Sequence, residues 1–486
     1  MMKLSDILGG LDVVTAVKGS TDICISSLTN DSRKAVPGCL FVAVNGCGAD
    51  GRAYIRAAVE AGACAVMAQE CEELREADAV TTITVSDSRR AVALCADIFY
   101  GHPSGRLKLA GITGTNGKTT TVTLLYELMR SLGHECGLLS TIANYVGGER
   151  RETANTTSDP VTTNSLLREM ADRGCEYCFM EVSSIGMEQH RVDGLEFRLG
   201  IFSNLTHDHL DYHGSFAEYL RCKKLFFDSL GAGATAIINA DDRNGSVMVQ
   251  NCKAPVVTYS CRSLADHSAR ILEQDFDGML LSIDGTQVWT RLVGAHNASN
   301  LLAIYCSALE LGIPKEEALL AISALSPARG RMESIRGGRN LTAIIDYAHT
   351  PDALENVLKT LRGVSREGTL ICLFGCGGDR DRTKRPEMAA VARKWADRIF
   401  ITSDNSRTER TEDIIEDIKT GLGAEGLRKT VCIPDRREAI RTALMTAPEG
   451  AVVLLAGKGH ETYQILGKEK IHFDEREIVQ EVFGTL

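Results

Sequence analysis

The most constraining feature of the sequence is a glycine-rich turn, Gly111–Thr120, between a strand-like segment, Leu107–Ile112, and a helical pattern, Thr119–Leu132. Glycines at positions 111, 114 and 117 let the backbone turn tightly, so that its N–H groups can face a phosphate at the N-terminus of the helix. Lys118 supplies a mobile cation and Thr119 a hydroxyl for Mg²⁺. The spacing departs from GxxxxGK[ST], because position 112 holds isoleucine. The strand and helix on either side favour a phosphate loop over an ordinary glycine turn.

The length of the chain requires more than one domain. Single hydrophobic cores stop growing near roughly 250 to 300 residues, and this chain has 486. Breaker clusters at Gly101–Gly105 and Pro327–Gly330 divide the alternating strand and helix patterns. We therefore predict three α/β domains, at residues 1–103, 104–328 and 329–486. The middle one is predicted to be a doubly wound parallel sheet of the P-loop ATPase type, flanked by a small N-terminal α/β domain and a Rossmann-like C-terminal α/β domain.

The predicted elements of the flanking domains follow from short apolar runs and from helical periodicity. In the first domain they are the strands Leu40–Val44, Ala65–Met67 and Thr82–Val85 and the helix Ser88–Tyr100. In the third domain they are the strands Thr342–Ile345, Leu370–Phe374, Arg398–Thr402 and Val452–Ala456.

Composition excludes several classes of function. The net charge of −10 argues against a nucleic-acid-binding protein, which needs a broad basic surface. No apolar run is long enough to cross a membrane, and the first twenty residues do not resemble a secretion signal. The sixteen cysteines are scattered, and we expect reduced thiols in a cytoplasmic protein.

Further motifs follow the glycine-rich turn in a fixed order. After Gly114–Thr119 come Met180–Ser184, Asn204–Gly214, Gly294–Asn300 and Asp346–His349. Together they resemble the Mur ligase family over nearly the whole chain, and most closely its branch that extends a UDP-linked peptidoglycan precursor. The resemblance implies an ATP-dependent ligase that adds meso-diaminopimelate to UDP-MurNAc-L-Ala-D-Glu. It also implies a carboxylate that attacks the γ-phosphate of ATP, giving an acyl phosphate that the incoming amine then attacks.

By the same resemblance, four residues carry the catalytic and metal chemistry. Lys118, Glu181, His209 and Lys223 are expected to be catalytic, and Thr119, Glu181, His209 and Lys223 to hold Mg²⁺. Lys223 matches a lysine that CO₂ carbamylates in this family, and a carbamate is an oxygen donor of the kind that hard cations prefer. A single Glu or His at a strand end is more often capped or solvated, and two adjacent lysines usually form a solvated helix face.

The nucleotide and the precursor are assigned to separate groups of residues. The resemblance places ATP at Gly114, Thr115, Asn116, Gly117, Lys118, Thr119, Asn297, Arg331 and Asp346. It places the UDP-linked precursor at Asn30, Ser32, Asn155, Thr156, Thr157, Ser183, Gln189 and Arg191. Two positions depart from the family pattern, which often has histidine where this chain has Cys47 and Ile185. As isolated residues, these asparagines, serines and threonines would more often form turns or helix caps.

The incoming amino acid is assigned to three short segments of the third domain. The expected contacts are Arg380, Asp404, Asn405, Ser406, Arg407, Gly457 and Glu461. Arg407 ends an Asp-Asn-Ser-Arg sequence that resembles the diaminopimelate motif of the family, with Ser406 in place of proline. A guanidinium can hold the distal carboxylate of diaminopimelate by two parallel hydrogen bonds, and lysine has no such carboxylate.

Other functions remain compatible with the sequence at this point. The same ligation could use L-lysine, and ligases of the cyanophycin or folylpolyglutamate type are related, although the N-terminal segment argues against them. A non-catalytic nucleotide-binding regulator is the alternative outside the enzymes. We expect a monomer whose partners are UDP-MurNAc-L-Ala-D-Glu and meso-diaminopimelate, without nucleic acid and without membrane insertion.

Overall fold

The computed structural model describes residues 1–46, 50–153, 155–365 and 368–485. These residues form three main β-sheets with associated helices, which follow one another along the chain. The first has five strands, in the order Val14–Lys18, Thr81–Val85, Ala65–Ala68, Cys39–Ala43 and Ser27–Thr29. Its helical elements are Leu4–Gly9, Ser32–Lys34, Gly51–Tyr54, Ile55–Glu60, Glu72–Glu76 and Ser88–Phe99, and Met2–Lys3 pairs with Cys24–Ile25.

The middle sheet has eleven strands among the described residues. Their order is Glu149–Arg151, Asn144–Val146, Cys136–Leu139, Tyr177–Glu181, Lys108–Thr113, Leu199–Phe202, Thr235–Asn239, Val256–Ser260, His267–Gln274, Met279–Ile283 and Thr286–Thr290. The associated helical elements are Pro103–Arg106, Lys118–Ser131, Pro160–Asp172, Ser184–Glu188, Leu210–His213, Phe216–Asp228, Gly245–Met248, Ala295–Glu310 and Lys315–Ala324. Separate apolar clusters cover the two faces, so the predicted doubly wound sheet is confirmed at its centre.

Both edges of this sheet differ from the prediction, because they are antiparallel. Two-residue turns at Gly147-Gly148 and Asp284-Gly285 have positive φ at both positions, which is the backbone of a type I′ hairpin. These turns reverse the chain without a crossover helix. The predicted alternation of strands and helices therefore stops at Val256–Ser260 and resumes at Ala295–Glu310.

The third sheet has six strands, in the order Glu333–Arg336, Thr342–Asp346, Val452–Ala456, Leu370–Phe374, Arg398–Ile401 and Thr430–Cys432. All are parallel except the first. The helices are Pro351–Val364, Lys384–Trp395, Thr411–Lys419, Gly423–Arg428, Arg436–Met445 and Glu475–Phe483, and the hairpin is Tyr463–Leu466 with Glu469–His472. The predicted strands of both flanking units are present within one residue at each end.

A buried ion pair connects the third sheet to its last helices. Arg436 and Glu475 have side chains with 0% exposure, and Arg436 Nε donates to Glu475 Oε1 at 2.8 Å. Arg436 also donates to the carbonyl oxygens of Ser403 and Ala456, at 3.1 and 2.7 Å. These two carbonyls lie at the carboxyl ends of the strands Arg398–Ile401 and Val452–Ala456, on either side of Leu370–Phe374, so the pair fixes the loops that follow them.

We expect Arg436→Met to reduce the free energy of unfolding of this unit by about 3 to 5 kcal/mol, because it leaves the Glu475 carboxylate buried without a counter-charge. Urea unfolding measures this, and the double variant with Glu475→Met should recover part of the loss. Arg437 lies on the same helix as Arg436 and forms a half-exposed ion pair with Glu481. Arg437→Met should therefore cost less than about 1 kcal/mol. Equal costs for the two arginines would contradict the assignment.

Candidate active site

The glycine-rich turn follows the strand Lys108–Thr113 and leads into the helix Lys118–Ser131. Gly114 has φ +152°, and a Cβ there would collide with Ser203 Oγ. Gly117 has φ +88°, and its Cβ would lie 2.5 Å from Asn300 Oδ1. Both positions therefore require glycine, for backbone conformation and for space. The turn holds the N-terminus of the helix against the carboxyl end of the parallel strands, where open α/β sheets bind ligands.

Hydrogen bonds from neighbouring loops hold the turn in place. Asn204 Oδ1 accepts from the Asn116 N–H at 2.9 Å, and Ser203 Oγ donates to the Asn116 carbonyl at 2.6 Å. Thr115 Oγ1 lies 3.0 Å from the Tyr219 hydroxyl. The side chain of Asn116 donates to Asp352 Oδ2 at 2.9 Å, which ties the turn to the helix Pro351–Val364 of the third unit.

Two lysines meet at the Gly114 carbonyl oxygen. Lys118 Nζ donates to it at 2.9 Å and also to the Thr115 carbonyl at 2.9 Å. Lys223 Nζ donates to the same Gly114 oxygen at 2.8 Å, and the Lys223 residue is 1% exposed. Burial lowers the pKa of Lys118. Burial, and then the charge of Lys118, lower the pKa of Lys223 well below its usual range.

The helix Phe216–Asp228 determines which of its two adjacent lysines reaches the turn. Ser215 caps its N-terminus by accepting from the Glu218 N–H at 3.2 Å. In this register Lys223 lies under the turn, with Nζ 4.7 Å from the centre of the Tyr219 ring. Lys224 instead pairs with Asp228 on the same helix.

Glu181 and Thr119 lie together at the ends of neighbouring elements. Glu181, the last residue of the strand Tyr177–Glu181, is 1% exposed, and its Oε2 accepts from Thr119 Oγ1 at 3.0 Å. Its Oε1 accepts from the N–H and the hydroxyl of Thr141, at 2.8 and 3.0 Å. Sequence reasoning missed Thr141, which lies after a short strand without a recognisable motif.

His209 begins the short helix Leu210–His213 with φ +54°. Its Nε2 lies 3.4 Å from Asp208 Oδ2. Burial raises the pKa of Asp208, but the nearby His209, His349 and Lys384 more than offset this, and the net shift is downward. An ionised carboxylate therefore lies beside the predicted metal-ligating histidine.

The donor set fits Mg²⁺ bound largely through a nucleotide. Thr119 and Glu181 offer oxygen atoms, which hard cations prefer, and His209 lines the same cavity. In the described ranges, no three histidine, cysteine, aspartate or glutamate side chains are close enough together to hold a metal ion. Mg²⁺ commonly takes only one or two carboxylates from the protein, with phosphate and water supplying the rest.

A cavity of about 270 Å³ lies at the helix N-terminus. Its walls come from the middle and third units and include the predicted nucleotide residues Thr115, Asn116, Gly117, Lys118, Thr119, Asn297, Arg331 and Asp346. Asn297 Nδ2 donates to the Val293 carbonyl at 2.9 Å, at the start of the helix Ala295–Glu310. Asp346 accepts from the N–H groups of Met332 and Ala348, at 2.7 and 2.8 Å.

Tyr347 and His349 connect this cavity to a second one. The Arg331 guanidinium lies 4.7 Å over the Tyr347 ring, and the His349 ring is 4.7 Å from Tyr347. Burial lowers the pKa of His349 to about 4. Both cavities share the walls Thr141, Thr156, Asp208, His209, Tyr347 and His349.

The second cavity has a volume of about 930 Å³. It contains the predicted residues Asn155, Thr156, Arg380, Asp404, Asn405, Arg407, Gly457 and Glu461. Arg407 has φ +50°, and its Nη1 donates to the carbonyls of Gly378 and Asn405 at 2.8 and 3.4 Å. Ser406 does not line the cavity. It is 4% exposed, and its carbonyl accepts from the Glu409 N–H at 3.1 Å, so it forms the turn rather than a wall.

Other predicted precursor residues lie behind the walls of the cavities. Thr157 Oγ1 donates to the Glu181 carbonyl at 2.9 Å, and Ser183 Oγ caps the helix Ser184–Glu188. Arg191 donates to the Thr157 carbonyl at 2.6 Å and to Gln189 Oε1 at 2.7 Å. These residues support the loop that carries Asn155 and Thr156. Ile185 lines the larger cavity.

The predicted contacts of the first unit lie apart from both cavities. Asn30 and Ser32 are partly exposed, and Ser32 begins the short helix Ser32–Lys34. Cys47 lies outside the described residues. The first unit contacts the middle one through Arg89, whose Nη1 lies 3.1 Å from Glu188 Oε1. A ligand that reached both Ser32 and Thr156 would have to extend across this junction.

Comparisons with known proteins agree with this arrangement. Three family models match: the catalytic domain of the Mur ligase family at 24–100, the Mur ligase middle domain at 112–308 and the Mur ligase glutamate ligase domain at 330–459. A protein of Bacteroides fragilis is 50% identical over 486 residues, covering 99% of each chain. The chain belongs to the Mur ligase family. Mur ligases are ATP-dependent ligases that form amide bonds, and the predicted family is confirmed.

The relatives of this Mur ligase carry a consistent name. The B. fragilis protein and one from Geobacillus kaustophilus, 42% identical over 95% of each chain, are both called UDP-N-acetylmuramoyl-L-alanyl-D-glutamate--2,6-diaminopimelate ligase. A solved structure of a ligase of that name matches with a TM-score of 0.66 and 32% identity, over 95% of each chain. The MurF ligase of Thermotoga maritima in complex with ADP shares the fold, with a TM-score of 0.63, 17% identity and coverage of 94% and 97%.

Two further features agree with the expectations from sequence. In the part of the chain that the structure describes, no helix is both long and apolar enough for a membrane crossing. Every described cysteine is a free thiol.

We expect Gly117→Ala to weaken ADP binding by at least roughly 100-fold, or about 3 kcal/mol, because the new Cβ meets Asn300 and disfavours the left-handed backbone. Isothermal titration with MgADP measures this. Gly133→Ala is the matched control at the other end of the same helix, with φ +90° and nothing within 4 Å of its Cβ. That variant should lose some stability and keep its affinity. Equal affinities for both variants would show that the turn does not hold the nucleotide.

Proposed function

We propose that the chain is an ATP-dependent ligase that adds meso-diaminopimelate to UDP-MurNAc-L-Ala-D-Glu in peptidoglycan synthesis. The observation that carries the proposal is the junction of the two cavities at Thr156, His209, Tyr347 and His349. An acyl phosphate formed beside the phosphate loop would face an amine held in the larger cavity. The names of relatives identical at 41% to 50% over nearly the full length support the same substrates.

The phosphate loop would supply the electrostatics of phosphoryl transfer. The N–H groups at the start of the helix Lys118–Ser131 and the Lys118 ammonium would stabilise negative charge on the transferring group. Lys118 now donates to two carbonyls of its own loop, and these bonds can be exchanged for phosphate oxygens. The D-glutamate carboxylate would attack the γ-phosphate, release ADP and become the acyl phosphate.

Mg²⁺ would be held by Thr119, Glu181 and His209, together with a carbamate on Lys223, and when bound it would neutralise phosphate charge. Burial and then the neighbouring Lys118 lower the pKa of Lys223, which favours its neutral amine. A neutral amine is the form that attacks CO₂, forming an N–C bond and losing one proton. The resulting anion would also relieve the contact between two lysine amines at one carbonyl.

The larger cavity would orient the incoming amino acid. Arg407 would pair the distal carboxylate of diaminopimelate, and Asp404 and Glu461 would together receive the distal ammonium. Precursor contacts through Asn30, Ser32, Asn155 and Thr156 would require the ligand to extend from the first unit to the junction. We expect a cytoplasmic monomer.

We expect Lys223→Ala to lose most ATP-dependent phosphate release, because the variant can form no carbamate, and acetate should partly restore activity. The measurement is phosphate release with precursor, ATP and diaminopimelate, with and without acetate. Lys224→Ala removes the neighbouring lysine, which pairs with Asp228, and should keep near-parental activity. Full activity of Lys223→Ala without acetate would contradict the role of the carbamate.

We expect the enzyme to prefer meso-diaminopimelate to L-lysine, and Arg407→Ala to erase most of this preference. Loss of a charge-assisted bidentate contact should cost about 2 to 4 kcal/mol, or roughly 30-fold to 1000-fold in kcat/KM for diaminopimelate. The two amino acids are compared at matched ATP and precursor concentrations. Arg410→Ala, an exposed arginine near the same turn, should keep the parental ratio. A parent enzyme that used lysine equally well would refute the assignment of the amino acid.

A further inference from the structure

Lys458 is a buried cation beneath the larger cavity, on the loop after the strand Val452–Ala456. Its side chain is 0% exposed. Nζ lies 2.9 Å from Glu461 Oε2, 3.3 Å from Asn405 Oδ1 and 3.4 Å from Asp404 Oδ1. An ammonium has three N–H donors, so these three oxygens can use all of them.

The arrangement leaves one oxygen of each carboxylate for a ligand. Lys458 contacts Asp404 Oδ1 and Glu461 Oε2, and both acidic residues line the cavity, whereas Lys458 is not among the described residues that line it. Within the described residues, no hydrogen bond reaches Asp404 Oδ2 or Glu461 Oε1. Burial raises the pKa of Asp404, but Lys458 and then Arg436 reverse this, and the net shift is downward. Lys458 therefore acts on a ligand through the two carboxylates.

The charges on the turn Asp404–Arg407 and the loop of Lys458 and Glu461, one part of the cavity, match a particular kind of head group. Asp404, Glu461 and Lys458 together carry a net charge of −1, and Arg407 carries +1 on the same cavity. A head group with one ammonium and one carboxylate would neutralise both. A head group with an ammonium alone would leave Arg407 without a counter-charge. Without Lys458, the two carboxylates would carry −2 and would favour the purely cationic head group.

We propose that Lys458 is a specificity-determining residue, which sets the charge of the amino-acid site so that it selects a zwitterionic distal group over a cationic one. This inference rests on the proposed function. It differs from the role of Arg407, because Lys458 contacts no part of the substrate. Its Nζ is held in position between the turn at Asp404 and the loop at Glu461.

The test compares kcat/KM for meso-diaminopimelate and L-lysine in the parent and in Lys458→Met. We expect the ratio of the two values to fall by roughly 10-fold to 100-fold, the effect of one charge a few ångströms away near a protein surface. The change should lie mainly in KM for the amino acids, with KM for ATP and for the precursor within about 2-fold of the parent. A purely structural lysine would instead reduce the use of both amino acids by the same factor.

Two further variants separate charge from hydrogen bonding and from general effects. Lys458→Gln keeps N–H donors without the charge, and its ratio should fall as in Lys458→Met. Lys429→Met removes a lysine of the same unit that donates to the Arg393 and Ala396 carbonyls, and it should keep the parental ratio.

The outcomes distinguish the inference from the proposed function. A parent without diaminopimelate-dependent activity would overturn both. A parent selective for diaminopimelate whose Lys458→Gln and Lys458→Met variants kept the same ratio would overturn only the inference. A lower ratio in Lys458→Met with a parental ratio in Lys458→Gln would assign the effect to hydrogen bonding. That result would also overturn the inference.

Discussion

One carbonyl oxygen, that of Gly114, accepts hydrogen bonds from the amines of both Lys118 and Lys223, and the geometry of the candidate active site depends on this contact. Burial lowers the pKa of both lysines, and the charge of the adjacent Lys118 lowers that of Lys223 further. The oxygen can occupy this position because Gly114 adopts φ +152° against Ser203. The backbone of the turn therefore positions a lysine amine from more than a hundred residues away in the chain.

The same turn connects the middle and third units. Asn116 donates to Asp352 across the boundary, and His207 Nε2 lies 3.7 Å from Asp381 Oδ2. Since Arg331 and Asp346 also come from the third unit, the nucleotide cavity exists only when the two units are in contact. Such a closed arrangement would keep water away from the proposed acyl phosphate, which water would hydrolyse. Recognition of the nucleotide and protection of the intermediate thus depend on the same contacts.

The sequence could predict elements whose signals are local. Apolar runs located four of the six described strands of the third sheet to within a residue at each end, and glycine spacing located the turn before the helix Lys118–Ser131. Sequence could not identify Lys458 as a buried counter-charge, since its contact with Asp404 spans 54 residues. The contact between Asn116 and Asp352 spans 236 residues. The antiparallel edges differ from the prediction because an alternating pattern of strands and helices does not reveal the two-residue turns Gly147-Gly148 and Asp284-Gly285. Sequence could not show that Arg191 also contacts the loop before Pro160, because its bond to the Thr157 carbonyl spans 34 residues.

The turn before Arg407 shows how tertiary contacts can replace a local constraint. Proline would restrict the backbone before the arginine, and Ser406 does not. Here the Arg407 N–H donates to the Ile465 carbonyl at 3.3 Å, and the Ile465 N–H donates to Asn405 Oδ1 at 2.9 Å. These bonds fix the turn to the hairpin strand Tyr463–Leu466 on both sides of Ser406. A proline would have lowered the conformational entropy of the turn, and here the hairpin restricts the turn instead. The orientation of the guanidinium therefore depends on the packing of that hairpin.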